Sequence, residues 1–544
     1  MKVLKKTILI FGVVNIALVI FVNLIFNINF SPIGNERIEF FKFSIGTLIA
    51  LITTIGIILC FYLIILKLIK NKSKKFKMIV VIVLLVISFI VQIIFGMNNR
   101  MNTFGDNGMV YNMARVMHEK VSIPSSNNIN TDISYYVSKY PQQLSLAFME
   151  SIVMNIFHSE EKRIFLIINS LLNCLTIIDF LLIFKELSKN HKVNKTLGAI
   201  IIFTFVQLNF LATFIYGDVP SFAFGFLAFY FALKYGNTNK NRYLFFSSIF
   251  MSIAYICREN TLIMILAEIF YLILNLKNNE VKTINERENK KQKVILKEKI
   301  SKIILKFLLI LCFAFISILP GKIICNYEIK KYNLDKNNKI TLTSYLLMGM
   351  GYNEEETAGP GWYDIKITDN QKVSKREDYV IKENEQISER LEYLRKNPIH
   401  AIKFYLRKFA SMWAENTYST IRVNTYFDTK KYLDGSSKIS RKNLIIIQFI
   451  VYIYGKAILL VISLGTLIYL VKNKNNLSND VLLFVILFIG GFLFYVLWEA
   501  KSRYIIPYVL ALIPSAVVGL NDQFEKIELK IKEQKNKNKL LKIL

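Results

Sequence analysis

Few residues of this chain are placed to do chemistry, and the first is Asp106, a carboxylate just beyond an apolar stretch long enough to cross a bilayer. A carboxylate there can take a proton from an attacking hydroxyl. It can equally cap the helix predicted by the spacing of Met109, Val110, Met113, Val116 and Met117. That helix reads as amphipathic and lying along the membrane, with Asn107, Tyr111, Asn112 and Arg115 on its polar face. Further ionisable residues fall at tips between apolar segments. Asp218 lies in Tyr216-Gly217-Asp218-Val219-Pro220, Arg258 in Cys257-Arg258-Glu259-Asn260, and Lys501 and Arg503 in Glu499-Ala500-Lys501-Ser502-Arg503. Charges at the edge of hydrocarbon are costly and so are usually paired or functional. Each has an ordinary role available: Asp218 as a cap ahead of Pro220, Arg258 with Glu259 as a solvated pair, Lys501 and Arg503 as snorkelling cations. What favours function is their gathering on one face.

That gathering depends on the elements holding them. The chain has 544 residues, of which 53% are hydrophobic and 42 are Phe, a composition of the membrane class. Its formal charge of +30 comes from lysines in short loops between apolar segments, where they report orientation rather than nucleic-acid binding. The five cysteines lie in or beside apolar segments without ligand spacing, so neither a zinc site nor a disulfide framework is implied. Runs near 20 apolar residues, oriented by Lys and Arg, predict an all-α polytopic bundle of about 12 spans. The decision point is 141–157, which is short and too polar for a crossing; reading it as interfacial leaves every strongly basic short loop on the cytoplasmic side. The expected organisation is two N-terminal spans in 1–77, a core in 78–325 with an outer loop at 96–160, and a small outer domain at 326–442. The last spans lie in 443–520, and 521–544 is a basic cytoplasmic tail.

At these residues the sequence resembles the GT-C glycosyltransferases, in particular the protein O-mannosyltransferases and the lipid A aminoarabinose transferases. The resemblance rests on Asp106 with Tyr111 and Ala114, on KYPQQLSLAF with Pro141 opening an interfacial helix, on YGDVPS, and on KSRYIIPYV. Two departures are visible: Asn107 stands where the family's second acid is usual, and Lys139 lies two residues before Pro141 rather than directly before it. The resemblance implies a multi-pass enzyme of the cell membrane with an extracytoplasmic active site. Its donor would be a polyprenyl-phosphate sugar and its acceptor a wall polymer, a lipid or a secreted protein. In that frame Asp106 is the base, and Arg258, Lys501, Arg503 and Lys139 hold the donor phosphate. Asp218, Tyr111 and Tyr216 contact the sugar or support those groups. No cofactor or metal is expected. The rival classes are a transporter or lipid flippase, to which Asp179 and Glu268 inside spans point, and a wall-polymer polymerase or ligase.

Overall fold

The computed structural model describes residues 2–30, 36–39, 45–69, 71–98, 101, 105–124, 132–276, 292–353, 359–364, 366–367, 376–421 and 441–540. It is a helical bundle with one short antiparallel hairpin, β1 (Asn27–Phe30) with β2 (Glu36–Glu39). The first helices are α1 (Lys2–Ile25), before the hairpin, and after it α2 (Ile45–Ile69), α3 (Lys74–Asn98), α4 (Asp106–Glu119), α5 (Ile133–Lys139), α6 (Gln143–Phe157) and α7 (Lys162–Leu187). Then come α8 (Lys195–Phe203), α9 (Gln207–Leu211), α10 (Asp218–Thr238), α11 (Asn241–Cys257), α12 (Leu262–Asn275) and α13 (Gln292–Lys331). The C-terminal part adds α14 (Leu342–Met350), α15 (Arg376–Lys396), α16 (Pro398–Trp413), α17 (Arg441–Lys472), α18 (Asn479–Leu497), α19 (Ile506–Gly519) and α20 (Asn521–Leu540).

Among the described residues, eight segments are long and apolar enough to cross a membrane: α1, α2, α3, α7, α13, α17, α18, and Ser502–Gly519, which contains α19. The protein is therefore multi-pass. The other four segments counted as spans fold as helices that are shorter or less apolar. Segment 196–215 is split into α8 and α9 beside Thr204, whose hydroxyl donates to the Ile200 carbonyl at 2.6 Å. Helix α6 has 15 residues, about 22 Å at 1.5 Å per residue, too short for a hydrocarbon core of about 30 Å.

The loops sort to two ends. Lys5 donates to the Leu477 carbonyl, Asn190 to Asn237 and Asp480, Asn479 to Leu274 and Asn275, and Lys472 pairs with Asp522. Tyr62 links Asn194 to Glu528. The N-terminus, the ends of α7, α10, α12 and α17, and the tail thus share one end, as the lysine pattern requires if 141–157 does not cross. Asp106, Asp218, Arg258 and the 498–503 strap share the other.

The two N-terminal helices are part of this bundle. Helix α1 packs against α17 and α18, with the Lys456 ammonium on the Phe26 carbonyl at 2.8 Å and Asn23 on the Lys456 carbonyl at 3.1 Å. The segment 326–442 carries a small core of Ile340, Leu347, Met348 and Ile367, yet its 409–421 stretch is buried throughout. Gln207 on α9 donates to the Asn416 carbonyl inside this plug at 2.9 Å.

Candidate functional site

Asp218 opens α10 and is buried, and its carboxylate pairs with the Arg258 guanidinium. Arg503 approaches its second oxygen at 3.7 Å. Two sequence tips 40 residues apart meet here because Gly217 allows it: a Cβ at that position would collide with the Cys257 carbonyl. Three aromatic rings wall the arginines. The Arg503 guanidinium lies 4.4 Å from the Phe214 centroid and 5.5 Å from Tyr216, and Arg258 lies 5.8 Å from Tyr216 and 5.4 Å from Tyr504. Gln143 at the start of α6 donates to the Tyr216 hydroxyl at 2.6 Å. Burial opposes the charge of Arg258, but the Asp218 carboxylate outweighs it and holds the guanidinium protonated. Two guanidiniums share one buried carboxylate, so the cluster keeps an excess positive charge.

Asp106 faces the same region. It is the first residue of α4 and is exposed; the cap position belongs to Gly105, whose φ of +70° favours glycine. The capping role open to Asp106 in the sequence is thus not the one it has. Burial raises the Tyr136, Tyr140, Tyr216 and Tyr345 hydroxyls and the Glu499 carboxyl, and the Asp106 charge adds to each. Tyr345, from α14, stacks on Trp498 with centroids 5.0 Å apart. Lys501 precedes the turn Ser502–Ile505 that carries Arg503, and its charge acts on Glu499.

Not every residue expected here arrives. Tyr111 lies five positions beyond Asp106, about 140° round the helix at 100° per residue, and faces away. Its hydroxyl donates to the Glu160 carbonyl, its ring packs on Phe165, and it acts as a packing residue on α4. The polar face expected for α4 is correspondingly narrower, because Asn107 and Tyr111 are both buried while Met109, Val110 and Met113 pack inward. Lys139 is buried with its ammonium between the rings of Tyr135 and Tyr140, at 5.5 and 5.6 Å. Nor do Arg258 and Glu259 form the solvated pair that adjacency suggested. Glu259 bonds Lys322 of α13 at 2.7 Å, at the edge of a 210 Å³ cavity that Gln142, Ser145, Tyr255 and Lys339 also line.

The strap before Arg503, a loop tip by sequence, is anchored by buried contacts. Lys408 of α16, fully buried, donates to the carbonyls of Gly349, Val496 and Trp498 at 2.5, 2.9 and 2.8 Å. Burial pushes this ammonium down to about 7, while three carbonyls around it satisfy all three of its protons. Among the described residues, no group of three or more His, Cys, Asp or Glu side chains is placed to hold a metal ion.

Residues 142–285 match the dolichyl-phosphate-mannose-protein mannosyltransferase family. No curated protein matches the chain. Among solved structures, the archaeal oligosaccharyltransferase AglB from Archaeoglobus fulgidus, in complex with an inhibitory peptide and a dolichol-phosphate, is similar at 14% identity and a TM-score of 0.40. That similarity covers 85% of this chain and 52% of that one, so the chain spans about half the length of the structure it matches. The family match takes in Gln143, Tyr216, Asp218 and Arg258, and covers about a quarter of the chain.

Proposed function

We propose that this protein transfers a sugar from a polyprenyl-phosphate-linked donor to an acceptor hydroxyl, at the outer face of the cytoplasmic membrane. The observation that carries the reading is the pair of arginines sharing the buried Asp218 and walled by Phe214, Tyr216 and Tyr504.

The chemistry follows from the charges. The acceptor oxygen attacks the anomeric carbon as its proton passes to the Asp106 carboxylate, and the bond from that carbon to the phosphate oxygen breaks. Its electron pair leaves with the lipid phosphate, which gains one negative charge. Fixed guanidiniums stabilise that charge more as it grows than before the reaction, which lowers the barrier. Because Arg258 and Arg503 are already oriented by Asp218, little reorganisation is needed when the phosphate arrives. Lys501 extends the positive edge of the site, and Tyr216 offers its ring to both arginines. Lys139, enclosed by tyrosine rings, supports the α5 end of the pocket rather than the leaving group. The reaction as written needs no metal, so chelation should leave transfer intact.

A lipid flippase would instead work through carboxyls inside the bundle. Asp179 and Glu268 are buried on α7 and α12, and Glu268 accepts a bond from Ser247 at 2.6 Å. The deciding experiment gives the purified protein in lipid nanodiscs labelled polyprenyl-phosphate sugars with candidate acceptors. Release of polyprenyl phosphate with transfer of label supports the reading, whereas movement of intact donor between leaflets without transfer favours the flippase. A wall-polymer ligase would show the same release but only with a polymer acceptor.

A further inference from the structure

Next to the arginine pair, the 210 Å³ cavity between the start of α6, the end of α11 and α13 is lined by hydrogen-bond donors left without partners. Ser138 of α5 is buried and lines it, and among the described residues its hydroxyl has no hydrogen-bond partner. The same holds for the side-chain amide of Gln142 and for the ammoniums of Lys336 and Lys339. The two carboxylates of the lining are already engaged, Glu259 by the Lys322 ammonium at 2.7 Å and Asp335 by the Asn337 amide at 2.9 Å. A buried donor without an acceptor is costly, so a cavity that keeps this set is matched to a guest rich in acceptor oxygens.

The two free lysines are held by their backbone. Lys336 and Lys339 stand three residues apart, on and just after the 3-10 turn Lys336–Asn338, a spacing that puts both side chains on one side. Arg376 of α15 donates to the carbonyls of Asn337 and Lys339 at 3.1 and 2.6 Å, and the Ile340 amide donates to the Lys139 carbonyl at 3.0 Å. The turn is thus fastened to α15 and α5 while its ammoniums stay available.

Depth shows where a guest would come from. Lys322 lies 19 residues beyond Ile303, where the apolar part of α13 begins, about 28 Å at 1.5 Å per residue. Its ammonium therefore reaches the far boundary of a hydrocarbon core about 30 Å thick. Lys322 and Asn326 line the cavity and are exposed, and beside them on α13 the exposed Ile323 and Tyr327 belong to the same membrane span. Tyrosine is a residue of the membrane–water interface. A guest with its polar end among the donors can lay an apolar part along Ile323 and Tyr327.

We propose that this cavity is a second lipid-phosphate site, separate from Arg258 and Arg503, which holds the phosphate of a membrane lipid at the bilayer boundary. A phosphate brings acceptor oxygens and negative charge together, and ammonium and hydroxyl donors bind it through charge-assisted hydrogen bonds. Arg258 and Glu259 are consecutive but turn to different partners, so the cavity adjoins the arginine pair without sharing a side chain with it. Polyprenyl phosphate and an anionic phospholipid present the same group. The inference does not depend on sugar transfer.

The test titrates the full chain in detergent with phosphatidylglycerol or with polyprenyl phosphate, and native mass spectrometry counts the lipids held and gives the affinity of each. Ser138→Ala changes no charge and suits a helix; it should weaken one bound lipid about tenfold, the loss of one hydrogen bond to a charged group. Lys339→Gln should weaken the same lipid about fivefold, whereas Lys330→Gln, exposed at the same boundary but outside the cavity, should leave it unchanged. This response with phosphatidylglycerol, with polyprenyl phosphate or with both supports the site and names its guest. Parental affinity in Ser138→Ala, or equal weakening by Lys330→Gln and Lys339→Gln, would show a diffuse basic surface and overturn the proposal. Lys339 is exposed, so the comparison of the two lysine variants decides alone if Ser138→Ala fails to fold. Glycerol phosphate, which has no tail, bound as tightly as either lipid would overturn the lipid assignment. A protein that moves no sugar yet shows the Ser138 response keeps this site and loses only the reading of the arginine pair.

Discussion

The two ends of the bundle use similar residue types in opposite ways. At the lysine-rich end, the links are amides and exposed ion pairs: Asn190 joins Asn237 and Asp480, and Lys472 with Asp522 is about half exposed at 47% and 55%. Water competes with each of these contacts, so each holds loops in place at little cost and little gain. At the other end, Asp218, Arg503 and Glu499 are removed from water, and Arg258, 14% exposed, packs with them among aromatic rings. A fold needing only to tie its loops together has no reason to gather these charges away from water, so the second end is organised for something that arrives there. The contrast can be broken in four places.

The largest effect is expected at Asp106. Asp106→Asn removes the proton acceptor, and because Gly105 holds the cap position the helix loses only a favourable charge in its first turn, about 0.3–1 kcal/mol. Transfer should fall about 10²- to 10⁴-fold with the protein still folded. Near-parental turnover at matched expression would remove Asp106 from the mechanism.

Next comes the arginine pair. Arg258→Gln should cost transfer on the order of 2–4 kcal/mol in kcat/KM, as when one preorganised donor is lost, and Arg258→Lys should keep a measurable part by retaining charge without the planar fork. The glutamine variant also strands Asp218 beside Arg503 alone and should destabilise the fold by about 3–5 kcal/mol. The double variant Asp218→Asn with Arg258→Gln separates these losses. If the arginine serves phosphate, thermal stability should recover while transfer does not. Recovery of both would reduce the pair to a structural strut.

How much of this end could be read from the sequence depends on how each residue reaches it. Asp106, Asp218, Arg258 and Arg503 each sit at the end of an apolar run, and counting crossings puts them on one side without any tertiary information. Glu499 occupies the same tip as Arg503, but an acid beside Lys501 looks like surface charge until burial is known. Tyr345 and Lys408 had no signal, since they come from 326–442, where hydropathy gives no register against the bundle. Tyr111 was misplaced for a simpler reason, its angle round α4. The four less apolar segments show the same limit for the fold: α8 and α9 part beside Thr204 within a run whose hydropathy is continuous.

A smaller effect is expected at Gly217. A methyl group there must push against the Cys257 carbonyl, which moves the α10 start away from the end of α11 and separates Asp218 from Arg258. Displacement of about 1 Å at a positioning contact can cost on the order of 10²-fold in rate, and partial relaxation should leave Gly217→Ala near a tenfold loss. Cross-linking cysteines engineered at Asp218 and Arg258 is too disruptive to report this. The useful measure is the apparent affinity for polyprenyl phosphate as product inhibitor, which should weaken in Gly217→Ala by about the same factor as kcat/KM; an unchanged inhibition constant would disconnect the hairpin from phosphate.

The smallest effect belongs to the opposite end, and it tests whether the two ends are independent. Tyr62 is buried, its ring meets Phe524 edge-on at 4.6 Å, and its hydroxyl joins Asn194 at 3.0 Å to Glu528 at 2.9 Å. Tyr62→Phe keeps the ring and removes only these two bonds. Asn194 retains its role at the start of α8, where its side-chain oxygen accepts from the Leu197 amide at 3.0 Å, and Glu528 can turn to water. The net loss should be about 0.5–1.5 kcal/mol, read as a small fall in thermal midpoint. Transfer should be unchanged within error, since neither bond touches the charged end and local losses at distant sites add without coupling. A tenfold fall in kcat/KM in this variant would mean that the basic end shifts the site through the helices, and the contrast between a fastening end and a working end would have to give way to a single coupled bundle.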